Sequence, residues 1–564
     1  MTINETKRVA IIGAGPSGLT AIKHCLEEGL LPVCFEAGSN IGGLWRYCTK
    51  GERESHSSVY KSTVVNTSKQ MMAFSDSPIP SEWPNFLPHE LVADYLELYC
   101  DKFKLGKHIK FNRQVQSIKP EVENGIETGR WEVIYRKPIN TDSYPSSPIL
   151  SATCSPIPPK KSLSSQPSFE LNFPKHRSSE DSFNSDKERS KKKSSLKKDV
   201  FDFIMVCTGH HWKPRLPEFP GMNDFKGTVI HSHKYKVPYP FKDDKVLIVG
   251  VGNSGMEISS ELAAHASSVY LSSRSGTWIA PRVTLFGLPT DQLSTRAANS
   301  LPRPLLNFAL ETLMQLHNGN LEKYNLKPGH SFLESPPVVG TQVLNHIESG
   351  KIIVKPNVAK INANSVEFTD GTVQEVDTII YCTGYVIENP FIDSEIIGKE
   401  EPDSNRVKLY KHIFPTSTKN MAFIGLVQPT TGSILPVAEL QARWATRVFT
   451  DKCKLPSLKD MRDQTSIDYR EHLTKFVPRE RTTIAVETVV YMDMIADQIG
   501  VKPDLWRLWK SNWTLAAQVT FGPTVSSHYR LYGPNKWDGA QQVISEACVG
   551  LDWKKIAEEK RKTN

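Results

Sequence analysis

Two glycine-rich stretches of the sequence have the residue types and spacing that bind a dinucleotide. The first runs from Arg8 as RVAIIGAGPSGLTAIKHCLEEG and places glycines at Gly13, Gly15 and Gly18. In this G-x-G-x-x-G pattern the first glycine permits a tight turn, the second lets the backbone approach a pyrophosphate, and the third lets a helix pack close to a sheet. The free N–H groups at the start of that helix then face the phosphates.

A carboxylate completes the pattern of the first unit. Glu36 follows the apolar stretch LLPVCF, roughly 20 residues beyond the glycine turn. At that place a carboxylate accepts hydrogen bonds from ribose hydroxyl groups, and it would repel a phosphate on the 2′ position. The first unit is therefore predicted to bind a dinucleotide with an unphosphorylated ribose.

A second unit of the same kind begins at Lys245 with KVLIVGVGNSGMEISSEL. Its second apolar stretch, SSVYLSS, ends in Arg274 where the first unit has an acid. Because a guanidinium pairs with a 2′-phosphate that a carboxylate would repel, the second unit is predicted to bind NADP(H). The residues predicted to form this site are Gly250, Gly252, Asn253, Ser254, Gly255 and Arg274.

Two dinucleotide sites in one chain predict that electrons pass from a nicotinamide to a flavin, with FAD in the first unit and NADPH in the second. The nine cysteines are dispersed, and no two form a C-x-x-C pair. That spacing disfavours a dithiol–disulfide reductase, which needs a redox-active cysteine pair. No Cys/His cluster has the spacing of a zinc site, so no metal is predicted.

Length, charge and hydropathy limit the class of protein. At 564 residues the chain is too long for one compact core, so at least two domains are expected. The formal net charge of +8 comes largely from one low-complexity stretch and the C-terminal end, and nucleic-acid binding is not predicted. We find neither a signal peptide nor an apolar run of about 18 residues, which predicts a cytoplasm-facing protein without a spanning helix.

The order of the elements predicts an α/β fold of two doubly wound, three-layer Rossmann-like domains, with the NADP domain inserted in the FAD domain. We assign 1–224 to the first FAD segment, 225–384 to the NADP domain with a helical insertion, and 385–564 to the second FAD segment and a C-terminal helical region. Residues 137–198 are rich in Ser, Pro, Lys and Arg and predict a disordered insertion. It is either a tolerated surface insertion or a phosphorylatable docking segment.

Further motifs resemble those of a known enzyme family. A match to F-x-G-x-x-x-H-x-x-x-Y, the fingerprint of flavin-containing monooxygenases, runs through Phe225, Gly227, His231 and Tyr235. The family's second flavin-contacting turn resembles NIGGLW, and its active-site asparagine loop resembles VNTSKQMMAFSDSPIP. Its interdomain linkers are similar to VCTGHH and YCTGY, and its animal microsomal, dimethylaniline N-oxide-forming branch is similar to FGPTVSSHYRLYGPNKW.

The resemblance implies the remaining site residues. Asn66 is the implied catalytic residue, a hydrogen-bond donor whose amide has no titrating proton. Contacts with FAD are implied at Gly13, Gly15, Gly18, Glu36, Gly43, Leu44, Trp45, Thr67 and Gln428. Contacts with NADP and the linker are implied at Thr383 and Gly384.

The resemblance also implies an NADPH- and O2-dependent oxygenation. NADPH reduces FAD, the reduced flavin and O2 form a C4a-hydroperoxide, and its distal oxygen passes to the nitrogen of an amine or the sulfur of a sulfide. A dry pocket is required, because the peroxide otherwise decays to H2O2. Three alternatives stay open: Baeyer–Villiger oxygenation of ketones or aldehydes, which Tyr235-Lys236 disfavours; an NADPH oxidase that produces H2O2; and a non-enzymatic redox sensor, which the intact Asn66 loop disfavours.

Two stretches bear on membranes and partners. Microsomal members end in a hydrophobic tail, whereas this chain ends in the charged stretch DWKKIAEEKRKTN. An apolar stretch, SLPRPLLNFALETLMQL, either lies in a membrane interface or packs against the body of the protein. We therefore expect a location in the cytoplasm or on the cytoplasmic face of the endoplasmic reticulum, with peripheral membrane contact and a homo-oligomer both left open.

Overall fold

A computed structural model describes residues 6–48, 59–137, 196–399, 401 and 404–548. The predicted insertion at 137–198 lies outside the described residues, except for its first residue and its last three. Within the described part of the chain, no helix has the length and apolar character needed to cross a bilayer.

The secondary structure is mixed, and its elements are numbered in chain order. The strands are β1 (Arg8–Ile12), β2 (Leu31–Phe35), β3 (Ile109–Lys110), β4 (Gln114–Glu123), β5 (Ile126–Arg136), β6 (Lys197–Phe201), β7 (Phe203–Val206), β8 (Lys213–Pro214), β9 (Thr228–His231), β10 (Lys245–Val249), β11 (Ser268–Ser272), β12 (Ile279–Ala280), β13 (Val338–Val339), β14 (Ile352–Lys355), β15 (Val358–Ile361), β16 (Ser365–Phe368), β17 (Val373–Glu375), β18 (Thr378–Tyr381), β19 (Tyr385–Val386), β20 (Leu409–Tyr410), β21 (Phe414–Pro415), β22 (Met421–Phe423), β23 (Gln428–Pro429) and β24 (Ala485–Val486). The α-helices are α1 (Pro16–Glu27), α2 (Lys69–Met72), α3 (His89–Lys102), α4 (Asn253–Leu262), α5 (Arg296–Asn299), α6 (Arg303–Asn318), α7 (Gln342–Glu348), α8 (Ser394–Ile397), α9 (Ile434–Phe449), α10 (Leu458–Lys475), α11 (Thr488–Ile499), α12 (Leu505–Ser511), α13 (Trp513–Phe521) and α14 (Ala540–Ala547).

Two five-stranded sheets carry the two glycine turns. The strand order is β22-β7-β1-β2-β3 in the first sheet and β14-β11-β10-β18-β9 in the second. Every pairing within these two sheets is parallel. Parallel strands are covered on both faces and so consist of continuous apolar runs. Accordingly, residues 9–12 of β1 and 246–249 of β10 are buried.

The last strand of the first sheet follows the whole second sheet in the chain. The second sheet uses strands from Thr228 to Tyr381, whereas β22, which pairs with β7, begins at Met421. The first domain is therefore discontinuous. This confirms the predicted α/β fold of two Rossmann-like domains, one inserted in the other, while the predicted boundaries at 224 and 384 stay predictions.

The two connections between the domains pair with each other. β8 and β19 form a two-stranded antiparallel ribbon. The backbone N–H of Arg215 donates to the Gly384 carbonyl at 2.9 Å, and Thr383 Oγ1 donates to the Arg215 carbonyl at 2.5 Å. His231 of the family fingerprint packs edge-on against Tyr385 of this ribbon, with ring centroids 5.2 Å apart. These residues hold the linkers together.

β6 begins inside the segment predicted to be disordered. Lys197 pairs with Tyr135, and Lys198 pairs with Ile134, in the antiparallel ladder between β6 and β5. The end predicted for the 137–198 insertion is therefore wrong by two residues. The two lysines belong by composition to the linker-like segment. They nevertheless form a strand, because the edge of β5 offers backbone hydrogen bonds, and composition does not reveal that partner.

A buried ionic network joins the two ends of the chain in the first domain. Glu439 of α9 is 1% exposed and accepts hydrogen bonds from Ser75 N and Oγ, both at 2.7 Å, and from Arg530 Nη2 at 3.0 Å. Lys23 of α1 donates to Asp76 Oδ2 at 2.5 Å, and Arg530 Nη2 lies 3.0 Å from the same oxygen. Buried charges persist only when they are paired and hydrogen-bonded, so each member depends on the others.

Glu439→Ala is expected to lower the free energy of unfolding by about 3 kcal/mol, because it leaves the buried Arg530 with only one carboxylate. Urea denaturation followed by tryptophan fluorescence measures the change. Glu375→Ala is the matched control, since Glu375 pairs with Lys245 at an exposed surface and its loss should change the midpoint little. Equal destabilisation of the two variants would contradict the network.

Candidate functional site

One large cavity of about 1020 Å³ reaches residues of both units. Predicted site residues on its wall are Gly13, Gly15, Glu36, Gly43, Leu44, Trp45, Asn66, Thr67, Asn253 and Gln428. Predicted residues away from that wall are Gly18, Gly250, Gly252, Ser254, Gly255, Arg274, Thr383 and Gly384. The residues expected around FAD are thus largely brought together, whereas the second glycine turn lies beside the cavity and not in it.

The first glycine turn has the shape of a phosphate cradle. Gly13 has a φ of +101°, and a Cβ on it would lie 2.7 Å from the Cys207 carbonyl oxygen. A Cβ on Gly18 would lie 1.9 Å from the Gly13 carbonyl oxygen, so helix α1 can approach β1 only with glycine there. At Gly15 a Cβ would meet only Gly43 Cα, at 3.7 Å. No side chain caps the start of α1, and its first N–H groups suit a pyrophosphate.

Glu36 stands at the end of β2 on the cavity wall. The backbone holds its carboxylate: Oε2 accepts from Ala14 N at 2.7 Å, and Oε1 accepts from Gly38 N at 2.6 Å. The first bond comes from the glycine turn itself, and the second comes from the loop that follows β2. The carboxylate is therefore fixed next to the place where a pyrophosphate would lie, and this arrangement fits the ribose of FAD.

Three further segments close the FAD side of the cavity. A single 3-10 turn spans Gly43–Trp45 and starts after Gly42, whose φ is +107°. Thr67 lies beside Asn66 on the wall. Gln428 of β23 is held by its backbone N–H, which donates to the Ile484 carbonyl at 2.7 Å. Together with the glycine turn, these segments fit a bound flavin dinucleotide.

Asn66 is held by side chains of the inserted domain. Arg282 Nη2 donates to Asn66 Oδ1 at 2.9 Å and to Glu257 Oε1 at 2.8 Å. Tyr60, on the same loop as Asn66, donates its hydroxyl to the other oxygen of Glu257. Burial raises the pKa of Glu257, and the hydrogen bonds from Tyr60 and Arg282 oppose that rise. The arrangement fixes the amide with its oxygen toward Arg282.

Asp291 supports the same loop from the inserted domain. Its Oδ2 accepts from Ser68 N at 2.7 Å and from Ser68 Oγ at 3.1 Å. Burial raises the pKa of Asp291 to about 6. The Asn66 loop is therefore bound at two points, by Arg282 and by Asp291, and both lie on the cavity wall.

Sequence reasoning missed Glu257, Arg282 and Asp291. Glu257 has the pattern of an ordinary helix position four residues after Asn253, in the stretch NSGME. Arg282 and Asp291 lie in a region of the inserted domain with no recognisable motif. Their importance depends on a contact between two domains, and neither spacing nor composition signals such a contact.

The second glycine turn repeats the geometry of the first. Gly250 has a φ of +112°, and a Cβ there would lie 2.6 Å from the Cys382 carbonyl oxygen. A Cβ on Gly255 would lie 2.0 Å from the Gly250 carbonyl oxygen, whereas Gly252 faces open space with nothing within 4 Å. Asn253 Oδ1 accepts from Val339 N at 2.9 Å. Together with Ser254 at the start of α4, these residues fit the pyrophosphate of a second dinucleotide.

Arg274 is exposed two residues beyond the end of β11. It follows Ser272 and Ser273, which are buried, so the guanidinium is the charged group that this strand end presents to solvent. In the first unit Glu36 lies one residue beyond the end of β2, so Arg274 lies one residue further along than the place of Glu36. The Arg274 guanidinium can pair with a 2′-phosphate, which the Glu36 carboxylate would repel.

The described residues contain no group of three or more His, Cys, Asp or Glu side chains that could hold a metal ion. The cysteines within the described ranges are free thiols. Burial raises the pKa of both Cys207 and Cys382, next to the two glycine turns, so they remain thiols at neutral pH.

Known proteins resemble the chain over nearly its whole length. The sequence model of the family described as Flavin-binding monooxygenase-like matches residues 6–173 and 174–552. Flavin-containing monooxygenase 5 of Rattus norvegicus is 37% identical over 548 residues, which are 95% of this chain and 91% of the relative. Flavin-containing monooxygenase 2 of Homo sapiens is 36% identical with the same coverage of both chains.

Solved structures share the fold. The S-allyl-L-cysteine S-oxygenase of Allium sativum has a TM-score of 0.60 at 24% identity and covers 96% of this chain and 98% of its own. Cyclohexanone monooxygenase of Rhodococcus sp. Phi1 has a TM-score of 0.56 at 15% identity and covers 88% and 98%. At these identities the likeness shows a common fold. The family match and the close relatives go further: the chain belongs to the flavin-binding monooxygenase-like family, whose members are oxidoreductases that use FAD, NADPH and O2.

Proposed function

We propose that this protein transfers one oxygen atom of O2 to the nitrogen of an amine or the sulfur of a sulfide in a small molecule. Bound FAD would supply the redox chemistry that links NADPH to O2 and so provides the oxidant. The residues proposed to hold FAD are Gly13, Gly15, Gly18, Glu36, Gly43, Leu44, Trp45, Thr67 and Gln428. Those proposed to hold NADP are Gly250, Gly252, Asn253, Ser254, Gly255 and Arg274, with Thr383 and Gly384 in the linker.

One observation carries this proposal: the hydrogen bond from Arg282 to Asn66 Oδ1, on the wall of the cavity that the first glycine turn also lines. Because Oδ1 already accepts from Arg282, the amide presents Nδ2 as a donor. No acceptor for Nδ2 is found among the described residues. An amide N–H can stabilise negative charge on an oxygen without releasing a proton at neutral pH, which suits an oxidant that must survive until substrate arrives.

Part of the cavity wall is apolar and comes from the inserted domain. One face of α6 supplies it with Leu306, Leu310 and Met314, spaced four residues apart along one side of the helix. Phe332 and Leu333 lie beside them. An apolar wall excludes water and accepts hydrophobic amines and sulfides of varied shape.

Asn66→Ala is expected to lower the rate of product formation about 100-fold, because the variant lacks one hydrogen-bond donor at the reacting oxygen. Oxidation of NADPH should continue, with H2O2 formed in place of product. The measurement compares NADPH consumed, N-oxide formed from N,N-dimethylaniline and H2O2 released. Asn345→Ala, an exposed change on α7, is the matched control and should leave all three rates unchanged.

The unaltered protein separates the alternatives in the same assay. A ketone converted to an ester, with amines and sulfides untouched, would replace the proposal with Baeyer–Villiger oxygenation. Release of one H2O2 for each NADPH with every substrate would identify an NADPH oxidase. Binding of FAD and NADPH without any NADPH oxidation would indicate a redox sensor.

Arg282 is proposed as a positioning residue that acts through Asn66. Arg282→Met removes the hydrogen bond to Asn66 Oδ1 and leaves the Glu257 carboxylate without its cation. We expect the ratio of product formed to H2O2 released to fall about tenfold, which is a smaller loss than in Asn66→Ala. In the double variant Arg282→Met, Asn66→Ala, this ratio should be the same as in Asn66→Ala alone. If Arg282 acts only through Asn66, its substitution has no further effect once the Asn66 amide is absent. Additive losses would show that Arg282 acts independently.

We also propose that the outer face of α6 contacts a membrane surface. While its inner face lines the cavity, its outer face exposes Leu305 (51%), Phe308 (69%) and Leu316 (71%). Further exposed apolar side chains are Phe286 at 81%, Trp506 at 73% and Trp513 at 70%. Large exposed apolar surfaces mark interaction sites, and tryptophan favours the boundary between lipid and water. Of the two locations that the sequence leaves open, the cytoplasm and the cytoplasmic face of the endoplasmic reticulum, this contact favours the second.

Phe308→Asp is expected to lower the fraction bound to phosphatidylcholine–phosphatidylserine vesicles severalfold in a sedimentation assay, because a buried aromatic ring contributes roughly 1.5–3 kcal/mol. Ile467→Asp, which changes an exposed residue of α10, is the control and should bind like the unaltered protein. Equal binding of all three proteins would contradict the membrane contact. If Phe308→Asp instead dissociates a dimer seen by light scattering, a second copy of the chain covers this face.

A further inference from the structure

A basic cleft lies where the C-terminal segment meets the inserted domain. This cleft, of about 360 Å³, has Ser275 on one wall and Lys475 and Arg479 on another. Ser275 directly follows Arg274, the residue at the end of β11. The segment 476–482, between α10 and β24, therefore faces the strand end that the sequence assigns to a 2′-phosphate.

Hydrogen bonds fix the segment 476–482 against the inserted domain. The backbone N–H of Val477 donates to the Glu334 carbonyl at 2.9 Å, and Arg481 Nη2 donates to Ser335 Oγ at 2.6 Å. Thr482, which is 1% exposed, donates its hydroxyl to the Val477 carbonyl at 2.6 Å. These hydrogen bonds therefore fix the position of Arg481 relative to the inserted domain.

Three guanidinium groups come within electrostatic reach of one another at this cleft. Desolvation, and then the charges of Arg479 and Arg274, lower the pKa of Arg481 to about 10. Burial, followed by the charge of Arg274, lowers the pKa of Arg479. Arg479 and Arg481 still carry a positive charge at neutral pH.

The carboxylates near these arginines are already engaged. Glu480 lies 3.5 Å from Arg215 and accepts from Asn405 N at 2.5 Å. Glu334 caps its own short helix by accepting from Ser331 N at 3.1 Å. Within the described ranges, neither Arg274 nor Arg479 lies within 4.0 Å of a carboxylate oxygen. Clustered like charges are costly unless an anion binds between them.

We propose that Arg479 and Arg481, carried by the C-terminal segment, close over the 2′-phosphate of NADP together with Arg274 of the second unit. This inference rests on the proposed binding of NADPH by that unit. The ligand is a dianionic phosphate monoester, and planar guanidinium groups bind such phosphates with paired hydrogen bonds. The clamp would join the discontinuous first domain to the inserted domain through the cofactor, and it would favour NADPH over NADH.

The test is isothermal titration of the FAD-loaded protein with two probes, adenosine 2′,5′-bisphosphate and 5′-AMP, which differ only in the 2′-phosphate. We expect Arg479→Gln and Arg481→Gln each to weaken binding of the bisphosphate about tenfold and to leave binding of 5′-AMP within twofold. Arg481→Lys should retain part of the affinity. Arg470→Gln, an exposed change on α10, is the matched control and should bind both probes like the unaltered protein.

The other outcomes overturn the inference. Unchanged binding of the bisphosphate by Arg479→Gln and Arg481→Gln, with a large loss in Arg274→Gln, would confine phosphate recognition to the second unit and leave the proposed NADPH site intact. Equal weakening of both probes would show that the two arginines only support the structure. If the unaltered protein binds the two probes equally, the proposal that this unit binds NADPH is wrong. That result can be told apart from a failure of the arginine clamp alone, because it is seen without any substitution.

Discussion

The close approach of a helix to a strand at each glycine turn is the constraint on which the rest of the structure depends. In both units the first glycine has a positive φ and lies against a carbonyl of a neighbouring strand, Cys207 in one unit and Cys382 in the other. The third glycine touches the carbonyl of the first. Any Cβ at these four positions would push the helix away from the sheet and remove the N–H cradle that a pyrophosphate needs.

Nesting one such unit inside the other produces the active cavity. The inserted domain supplies Arg282 to Asn66, Glu257 to Arg282 and Tyr60, Asp291 to Ser68, and an apolar face of α6 to the cavity wall. The first domain supplies the first glycine turn and Asn66. Because neither domain contains the complete set, the proposed chemistry requires their relative position, which the paired linkers β8 and β19 help to hold.

The sequence predicts much of this fold for a physical reason that is local. A buried parallel strand must be apolar, a phosphate-binding turn must contain glycines at fixed spacing, and a ribose or a 2′-phosphate selects an acid or a base at the next strand end. The predictions around Gly13, Glu36 and Gly250 depend on interactions within about 30 residues, as the length of one β–α–β unit implies. The strand start at Lys197 was missed because its partner, β5, lies across the predicted insertion.

The sequence by itself determined the two dinucleotide units, their order, the nested fold and the family, since each depends on residue type and spacing within one unit. Only the tertiary structure decided which groups come together across the domain boundary: Arg282 bonds to Asn66, Asp291 bonds to Ser68, and Arg479 lines one cleft with Ser275, next to Arg274. Such contacts join residues about 200 positions apart. Their energy depends on distance and burial in the folded chain, and these are quantities that no local pattern of residues encodes.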